Sequence, residues 1–215
     1  MQEDAIRVVG EHEWSRAFDI QADAFSEDPI LGHWLLGGRD QEARARRFRR
    51  FMGAYAAGAS FRDHAEIHMT ADDTASAIWL RPPGHFSQPV TEQLRMLPAL
   101  LALFGLGTPR ALGLLNAMEA QHPTDAAHWY LLGLATRRDR HGQGIGGRLL
   151  SFGLARVDAE RLPAYLESSN PRNISLYERH GFRITRRLDL PKGAPTATAM
   201  WRSATSGLDA AVAPT

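Results

Sequence analysis

Four glycines lie within six residues of one another, between an apolar segment at 129–135 and an amphipathic one at 148–162: Gly142, Gly144, Gly146 and Gly147. Residues without a Cβ let the backbone approach a bulky ligand, and they leave the first N–H groups of the following helix pointing outward. A helix terminus of this kind carries about half a positive charge and favours a phosphate. Four basic residues stand just upstream: Arg137, Arg138, Arg140 and His141. The pattern therefore predicts a pyrophosphate site.

Two well-known phosphate-binding motifs fit this segment poorly. A P-loop ends in Gly-Lys-Ser/Thr, whereas the chain has Gly147-Arg148-Leu149. The dinucleotide pattern GxGxxG is formally met, with Glu167 after the next strand, but five residues separate the preceding strand from the first glycine. Only 48 residues follow Glu167, too few for the remaining strand–helix units. A Rossmann fold is therefore excluded.

The rest of the chain alternates between helical and strand-like patterns. Strands are predicted at 6–9, 65–69, 76–80, 129–135, 164–167, 182–188 and 196–201. Helices are predicted at 13–25, 41–55, 91–104, 109–121, 148–162 and 171–180, and Asp28 is suited to cap a further helix that starts at Pro29. Arg44–Arg50 is read as a solvated helix face. Without repeats or a linker, residues 1–202 are predicted to form one α/β domain, followed by a patternless, disordered tail at 203–215.

Composition excludes several classes of protein. The chain has no cysteine, which removes disulfides, thiolate metal sites and a cysteine nucleophile. The net charge of +1 argues against a nucleic-acid binder that is held by bulk charge. The apolar run at 96–107, with Pro98 in its first turn, has twelve residues, and a bilayer span needs roughly 20. With no signal-like segment at the start, we expect a cytoplasmic protein that does not bind a membrane or nucleic acid.

Two segments carry a resemblance to a known family. Residues 141–146, His-Gly-Gln-Gly-Ile-Gly, resemble motif A of the GNAT N-acetyltransferase superfamily, Arg/Gln-x-x-Gly-x-Gly/Ala. Residues 170–182, NPRNISLYERHGF, resemble its motif B. Within the superfamily, the chain looks most like puromycin N-acetyltransferase and its relatives, on Ala24-Phe25 with Pro29, the His122-to-Trp129 spacing, Tyr165-Leu166-Glu167, and Pro171-Arg172-Asn173 before Tyr177. The chain departs from the family at His141 and at Thr136-Arg137-Arg138, where Val-x-Pro is common.

This resemblance implies a fold and a cofactor site. It implies a mixed, twisted α/β sheet of about six to seven strands, flanked by helices and split between strands 4 and 5. Acetyl-CoA would lie in the split as a co-substrate. Its pantetheine would pair with the strand edge near Leu134 and Thr136, and Asn173 would anchor the arm. Its pyrophosphate would lie on the loop made of His141, Gly142, Gln143, Gly144, Ile145, Gly146 and Gly147.

The resemblance also implies direct acetyl transfer to an amine, in a monomer or homodimer, with Tyr177 as the general acid near the CoA sulfur. The acceptor would be the primary amine of a small molecule, such as an antibiotic or amino-acid-like metabolite, or of a peptide. The base is left open between His128, His122 and Glu167. On the substrate side, Tyr130 takes a position where some members carry glutamate, and Asp28 or Glu27 is suited to bind a cationic amine.

The sequence also bears on a metal site, on alternatives to an acetyltransferase and on the acceptor pocket. A metal site is not supported, because His64 and His68 fall on a strand-like segment about 13 Å apart. The main alternative to an enzyme is an acyl-CoA-binding sensor or regulatory module with little turnover, and a different acyl donor is also open. The acceptor pocket would come from residues 25–120, where the apolar helices, Trp34 and Trp79 hint at an apolar or aromatic acceptor.

Overall fold

In the described part of the chain, seven strands form one mixed sheet in the order β1-β2-β3-β4-β5-β7-β6. The computed structural model describes residues 5–38, 40–83 and 90–205, apart from the side chains of Val90 and Gln93. The strands are β1 Ile6–Val9, β2 Ala65–Thr70, β3 Ala75–Leu80, β4 Trp129–Thr136, β5 Ala164–Ser168, β6 Arg183–Arg187 and β7 Thr198–Arg202. Only β4 and β5 are parallel neighbours; the other pairs are antiparallel. The predicted sheet is confirmed, with β7 inserted between β5 and β6.

The helices flank this sheet on both faces. They are α1 Trp14–Phe25, α2 Gln41–Ala56, α3 Ala59–His64, α4 Val90–Phe104, α5 Thr108–Glu119, α6 Ile145–Ala159 and α7 Ile174–Arg179, with a π-helix at Pro29–Leu36. α4 begins at Val90, within one residue of the predicted start, so Pro98 lies in the middle of the helix and not in a first turn, as the apolar run at 96–107 had suggested. Of the predicted tail, residues 203–205 have no regular structure and residues 206–215 lie outside the described residues.

The two parallel strands at the centre of the sheet are joined over only three residue pairs. Trp129, Tyr130 and Leu131 of β4 pair with Ala164, Tyr165 and Leu166 of β5. β4 continues to Thr136, and its other edge stays paired with β3, so the edge that faces β5 beyond Leu131 is open. A bulge at Leu132 breaks the β3–β4 register at this point. The split that the sequence predicts is therefore present between β4 and β5.

Each face of the sheet has its own core. On one face, α1 and α2 bury an aromatic cluster that includes Trp14, Phe18, Phe51, Tyr55 and Phe61. On the other face, the apolar side of α6 packs against the buried indoles of β3 and β4. The helix layers thus hold the open ends of β4 and β5 between two rigid cores.

Residues Leu94–Glu119 are long and apolar enough, by length and composition alone, to cross a membrane. The structure divides this stretch, because Gly105 has a left-handed φ of 52° and ends the first helix. The two halves, α4 and α5, pack against each other, and α4 also packs against α2.

The arginine-rich stretch of α2 is only partly a solvated face, contrary to expectation. Arg44 is 4% exposed, and its guanidinium donates to the carbonyls of Ser26 and Gly38 and to Glu27. Arg47 donates to the carbonyls of Leu36 and Leu103. Arg44 therefore ties α2 to the segments on either side of the π-helix, and Arg47 ties α2 to the end of the π-helix and to α4.

A buried carboxylate links β2 to the helix that follows the glycines. Glu66, 7% exposed, bonds to His68 at 2.8 Å and accepts a hydrogen bond from Arg156 of α6 at 3.0 Å. Burial alone would raise the pKa of Glu66, but the bonds from His68 and Arg156 outweigh it and lower that pKa to about 2. His64 ends α3 and does not share a strand with His68, so the prediction that both histidines fall on one strand-like segment is wrong.

We expect Glu66→Gln to lower the free energy of unfolding by about 2–3 kcal/mol near pH 7. A carboxylate with a lowered folded-state pKa stabilises the fold above its unfolded value of 4.5, and this contribution disappears as the pH falls through about 2. Urea unfolding at about pH 7 and pH 3 measures both effects. Glu42→Gln, in an exposed ion pair with Arg46, is the control and should change little. An equal loss at both pH values would contradict this account.

Candidate active site

A cavity of about 890 Å³ follows the split between β4 and β5. Its walls include the open end of β4 from Leu132 to Thr136, the residues from Glu167 to Asn170, and the start of α6. Part of α7, with Asn173 and Tyr177, also lines it. Of the predicted site residues with assigned roles, the cavity therefore brings together the strand edge, the glycines, Asn173, Tyr177, Glu167, Tyr130 and Asp28. Gln143 is not among its lining residues.

The glycine loop fits an anion by its backbone. Gly142 and Gly144 have left-handed φ values of 80° and 74°, which explains why glycine stands at both positions. α6 begins at Ile145, three residues earlier than expected, because Gly146 and Gly147 adopt the helical conformation of its first turn. The first bond of this helix joins Arg148 N–H to Gly144 O, so the preceding N–H groups have no acceptor within the helix. A Cβ at Gly142 would meet nothing within 4 Å, so the cavity is open beside this residue.

His141 faces back toward its own loop. Its Nε2 lies 2.9 Å from the carbonyl oxygen of Thr136, at the end of β4. Upstream, the backbone N–H of Arg138 donates to Asp23, and Arg137 donates to the carbonyl of Asp73. At position 141, motif A of the resemblance has Arg or Gln; here the imidazole of His141 closes the loop onto β4, and it is the main-chain N–H groups of the loop that remain as candidates to bind an anion.

Tyr177 lies in α7 and is 7% exposed, with its ring edge-on to Phe182. Burial, together with the nearby charge of Asp28, raises the pKa of Tyr177 well above 10. The phenol is therefore protonated at neutral pH and is a hydrogen-bond donor. Asn173 sits on the same cavity wall, at the start of α7.

Asp28 caps the π-helix, as its position before Pro29 predicts. Its carboxylate accepts the N–H groups of Ile30 at 2.9 Å and Leu31 at 2.8 Å, and Ser169 beyond β5 donates its hydroxyl to the other oxygen. Burial raises the pKa of Asp28, and these hydrogen bonds oppose the increase. A Cβ at Gly32 would overlap the carbonyl of Ser26, so glycine is needed where the π-helix packs against the end of α1. This capped helix places a carboxylate at the cavity wall.

Glu167 is held by two tyrosine hydroxyls. Tyr130 of β4 donates to Oε2 at 3.0 Å, and Tyr165 of β5 donates to Oε1 at 3.0 Å. Burial raises the pKa of Glu167 to about 7, and the two hydroxyl bonds and Arg186 limit this increase. A carboxylate with this pKa exchanges a proton close to neutrality, as a general base requires.

His122 and His128, the other two candidates for the base, do not line the cavity. Their Nε2 atoms lie 3.0 Å apart, and Nδ1 of His128 lies 2.7 Å from the carbonyl of Ala126. The ring of His122 packs edge-on against Tyr130 and Tyr165. The structure therefore places His122 and His128 behind the tyrosines, in contact with the groups that hold Glu167.

Three residues around the cavity were missed by the sequence analysis in these roles. Ser169 binds Asp28, Tyr165 binds Glu167, and Gln21 of α1 binds Ser76 and packs against Gly133 of β4. Only Tyr165 carried a signal, because it lies two residues before Glu167 on one strand and therefore shares its face. The other two contacts join segments that are distant in the chain.

Residues 71–182, more than half of the chain, match the model of the acetyltransferase (GNAT) family. The matched segment runs from the end of β2 to Phe182 and contains both the glycine loop and α7.

Solved structures show the same fold. One is the histone acetyltransferase HPA2 and related acetyltransferase from Corynebacterium glutamicum, which is 23% identical; the match covers 94% of this chain and 97% of that chain, with a TM-score of 0.69. Another is an agmatine N-acetyltransferase mutant, which is 12% identical; the match covers 92% of this chain and 97% of that chain, with a TM-score of 0.54. A third is a chain of the NatC complex bound to Gag peptide and CoA, which is 12% identical; the match covers 94% of this chain and 98% of that chain, with a TM-score of 0.51. At these identities the likeness shows the fold alone.

Proposed function

The chain belongs to the GNAT acetyltransferase family, and on that premise we propose that it moves an acetyl group from acetyl-CoA to the primary amine of a small molecule. One observation carries the proposal. A single cavity joins the glycine loop at 142–147 to Glu167, a carboxylate with a pKa of about 7, and to Tyr177, a phenol that is protonated at neutral pH. The sequence features that resemble puromycin N-acetyltransferase support placing the chain among the relatives of that enzyme.

The cavity suits the parts of acetyl-CoA in order. The outward N–H groups of the first turn of α6 would hold the diphosphate, helped by the positive helix terminus. The edge of β4 near Leu134 and Thr136 is not paired with β5 and would pair with pantetheine amides, and Asn173 would steady the arm. Acetyl-CoA supplies the activated acetyl group.

Glu167 is proposed as the group that removes a proton from the amine. For a lysine-like amine with a pKa of about 10.4, deprotonation at pH 7 costs about 4.6 kcal/mol, so a base near the amine matters. As the amine nitrogen attacks the carbonyl, an N–C bond forms and the C–S bond breaks. The amine proton passes to Glu167, directly or through a water, and Tyr177 donates a hydrogen bond or its proton to the departing sulfur.

Tyr177→Phe is expected to lower kcat by roughly 10- to 100-fold while the Kd for CoA changes less than about twofold. The phenol would act only on the sulfur as negative charge develops there, so its loss affects turnover and not binding. Single-turnover kinetics together with a CoA titration separate these quantities. Phe182→Leu, next to Tyr177 in the same core, is a control for packing. Unchanged turnover in Tyr177→Phe would refute the donor role.

A thiol-release assay with acetyl-CoA and a panel of primary amines, read in parallel by mass spectrometry, tests the proposed function. A mass gain of one acetyl group on an amine, matched by free CoA, supports it. Tight CoA binding with no release on any amine would favour the acyl-CoA-binding module, and release only with longer acyl-CoA substrates would change the donor.

A further inference from the structure

One side of the cavity is apolar, and four helical segments build it. We call it the apolar chamber: it is lined by Phe25 of α1, Phe48, Phe51 and Met52 of α2, and Leu115 and Met118 of α5, together with leucines and isoleucine of the π-helix. Phe25 and Phe48 stack with their ring centroids 5.4 Å apart. A ligand part that enters this chamber therefore exchanges water for aromatic and aliphatic carbon.

Charges on the cavity wall are separated by sign. The basic residues that line the cavity lie in two places. Arg138, Arg140 and His141 come just before the glycine loop, and Arg172 and Arg179 lie in the turn before α7 and in α7. Among the described residues, the helices of the apolar chamber contribute no cation to the lining. The acidic residues on the wall are Glu27, Asp28 and Glu167, and Glu27 is paired with Arg44.

The hydrogen bonds to the other two carboxylates come from neutral groups, and the charges of Arg186 and His33 act on Glu167 and Asp28, respectively, without an ion pair among the described residues. Asp28 accepts two backbone N–H groups and the hydroxyl of Ser169, and Glu167 accepts two tyrosine hydroxyls. When ionised, each keeps its negative charge toward the cavity. The ammonium group of an acceptor is stabilised there. A carboxylate on the acceptor would instead meet the like charge of Asp28 and Glu167 and an apolar wall without a cation.

We propose that the acceptor is a primary amine on an apolar or aromatic body that carries no carboxylate, with its amine near Asp28 and Glu167 and its body in the apolar chamber. This rests on the proposed acetyl transfer and narrows it. Free amino acids are poor acceptors because their carboxylate has no partner on this side. Polyamines are poor acceptors because their second cation would be buried among aromatic rings.

Three amines with acetyl-CoA test this: 2-phenylethylamine, phenylalanine, which differs from it only by the carboxylate, and agmatine, whose body ends in a guanidinium. We expect kcat/KM for 2-phenylethylamine to exceed the other two at least about tenfold. Equal or better turnover of phenylalanine or agmatine would overturn the inference and leave the proposed transfer standing. No turnover of any amine in the wider panel would overturn both.

A charge placed in the chamber gives a second test. Met118→Lys should lower kcat/KM for 2-phenylethylamine at least about tenfold and narrow its advantage over phenylalanine, because the new ammonium pairs with the carboxylate. Asn116→Lys adds the same charge on an exposed position of α5 and is the matched control. Melting temperatures identify any loss of folding. If both folded variants keep the wild-type preference, the chamber does not hold the acceptor body and the inference is wrong.

Discussion

Glu167→Gln should lower kcat/KM for the amine by roughly 100- to 10,000-fold near pH 8, where wild-type Glu167 is ionised. Glutamine keeps the shape and can still bond to the hydroxyls of Tyr130 and Tyr165, but it cannot take a proton. The pKa of Glu167 is about 7, so wild-type activity should rise as the pH increases through that value and then level off. The variant should lose this limb. Initial rates over about pH 5.5 to 9 measure it.

The two tyrosines provide a control for that assignment. Because the hydroxyl of Tyr130 lowers the pKa of Glu167, Tyr130→Phe should move the acidic limb of the pH profile to higher pH, with the plateau reduced much less than in Glu167→Gln. Stability gives an independent check. A raised folded-state pKa means that ionised Glu167 destabilises the fold above 4.5 and increasingly up to about 7, so Glu167→Gln should be at least as stable as wild type near pH 8. A fully active glutamine variant would exclude Glu167 as the base.

Gly144→Asp should weaken CoA binding at least about 100-fold. Gly144 has a φ of 74°, caps α6, and lines the cavity next to the N–H groups proposed to hold the diphosphate. The substitution forces a side chain into the left-handed region and puts a carboxylate where a dianionic group would lie. The KM for acetyl-CoA and a fluorescence titration with CoA both report the change.

Gly38→Asp is the matched control for this variant. Gly38 also has a left-handed φ, of 89°, a Cβ there would meet nothing within 4 Å, and it does not line the cavity. Gly38→Asp therefore also puts a side chain at a left-handed φ and adds the same charge, but away from the glycine loop. CoA affinity close to wild type in Gly144→Asp, or an equal loss in both variants, would show that the glycine loop does not grip the cofactor.

Local signals were enough to predict the parts of the site that lie close together in the chain. The glycine spacing at 142–147 and the Asn173–Tyr177 spacing need only one turn or one short helix to take shape, and the structure places both on one cavity. The cap at Asp28 followed from the pairing of an acceptor side chain with Pro29, which depends only on local hydrogen bonding.

Contacts between distant segments were not predictable from pattern. The charged neighbours of Arg44 in the helix predict a surface position, but the carbonyls that Arg44 binds belong to residues just after α1 and just after the π-helix. His128 is one of the three candidates for the base that the sequence offers, but it precedes β4, and its ring packs behind Tyr165. In both cases the tertiary environment, absent from a periodic pattern, decides the role of the side chain.

The central claim is that backbone amides at the start of α6 hold the diphosphate of CoA beside two parted strands. Isothermal titration of the folded protein with CoA, and with pantetheine, which lacks the diphosphate and nucleotide, tests it most directly. We expect saturable heat with one site per chain for CoA, and binding of pantetheine weaker by at least about 100-fold. No heat with CoA, or equal affinity for both compounds, would contradict the claim.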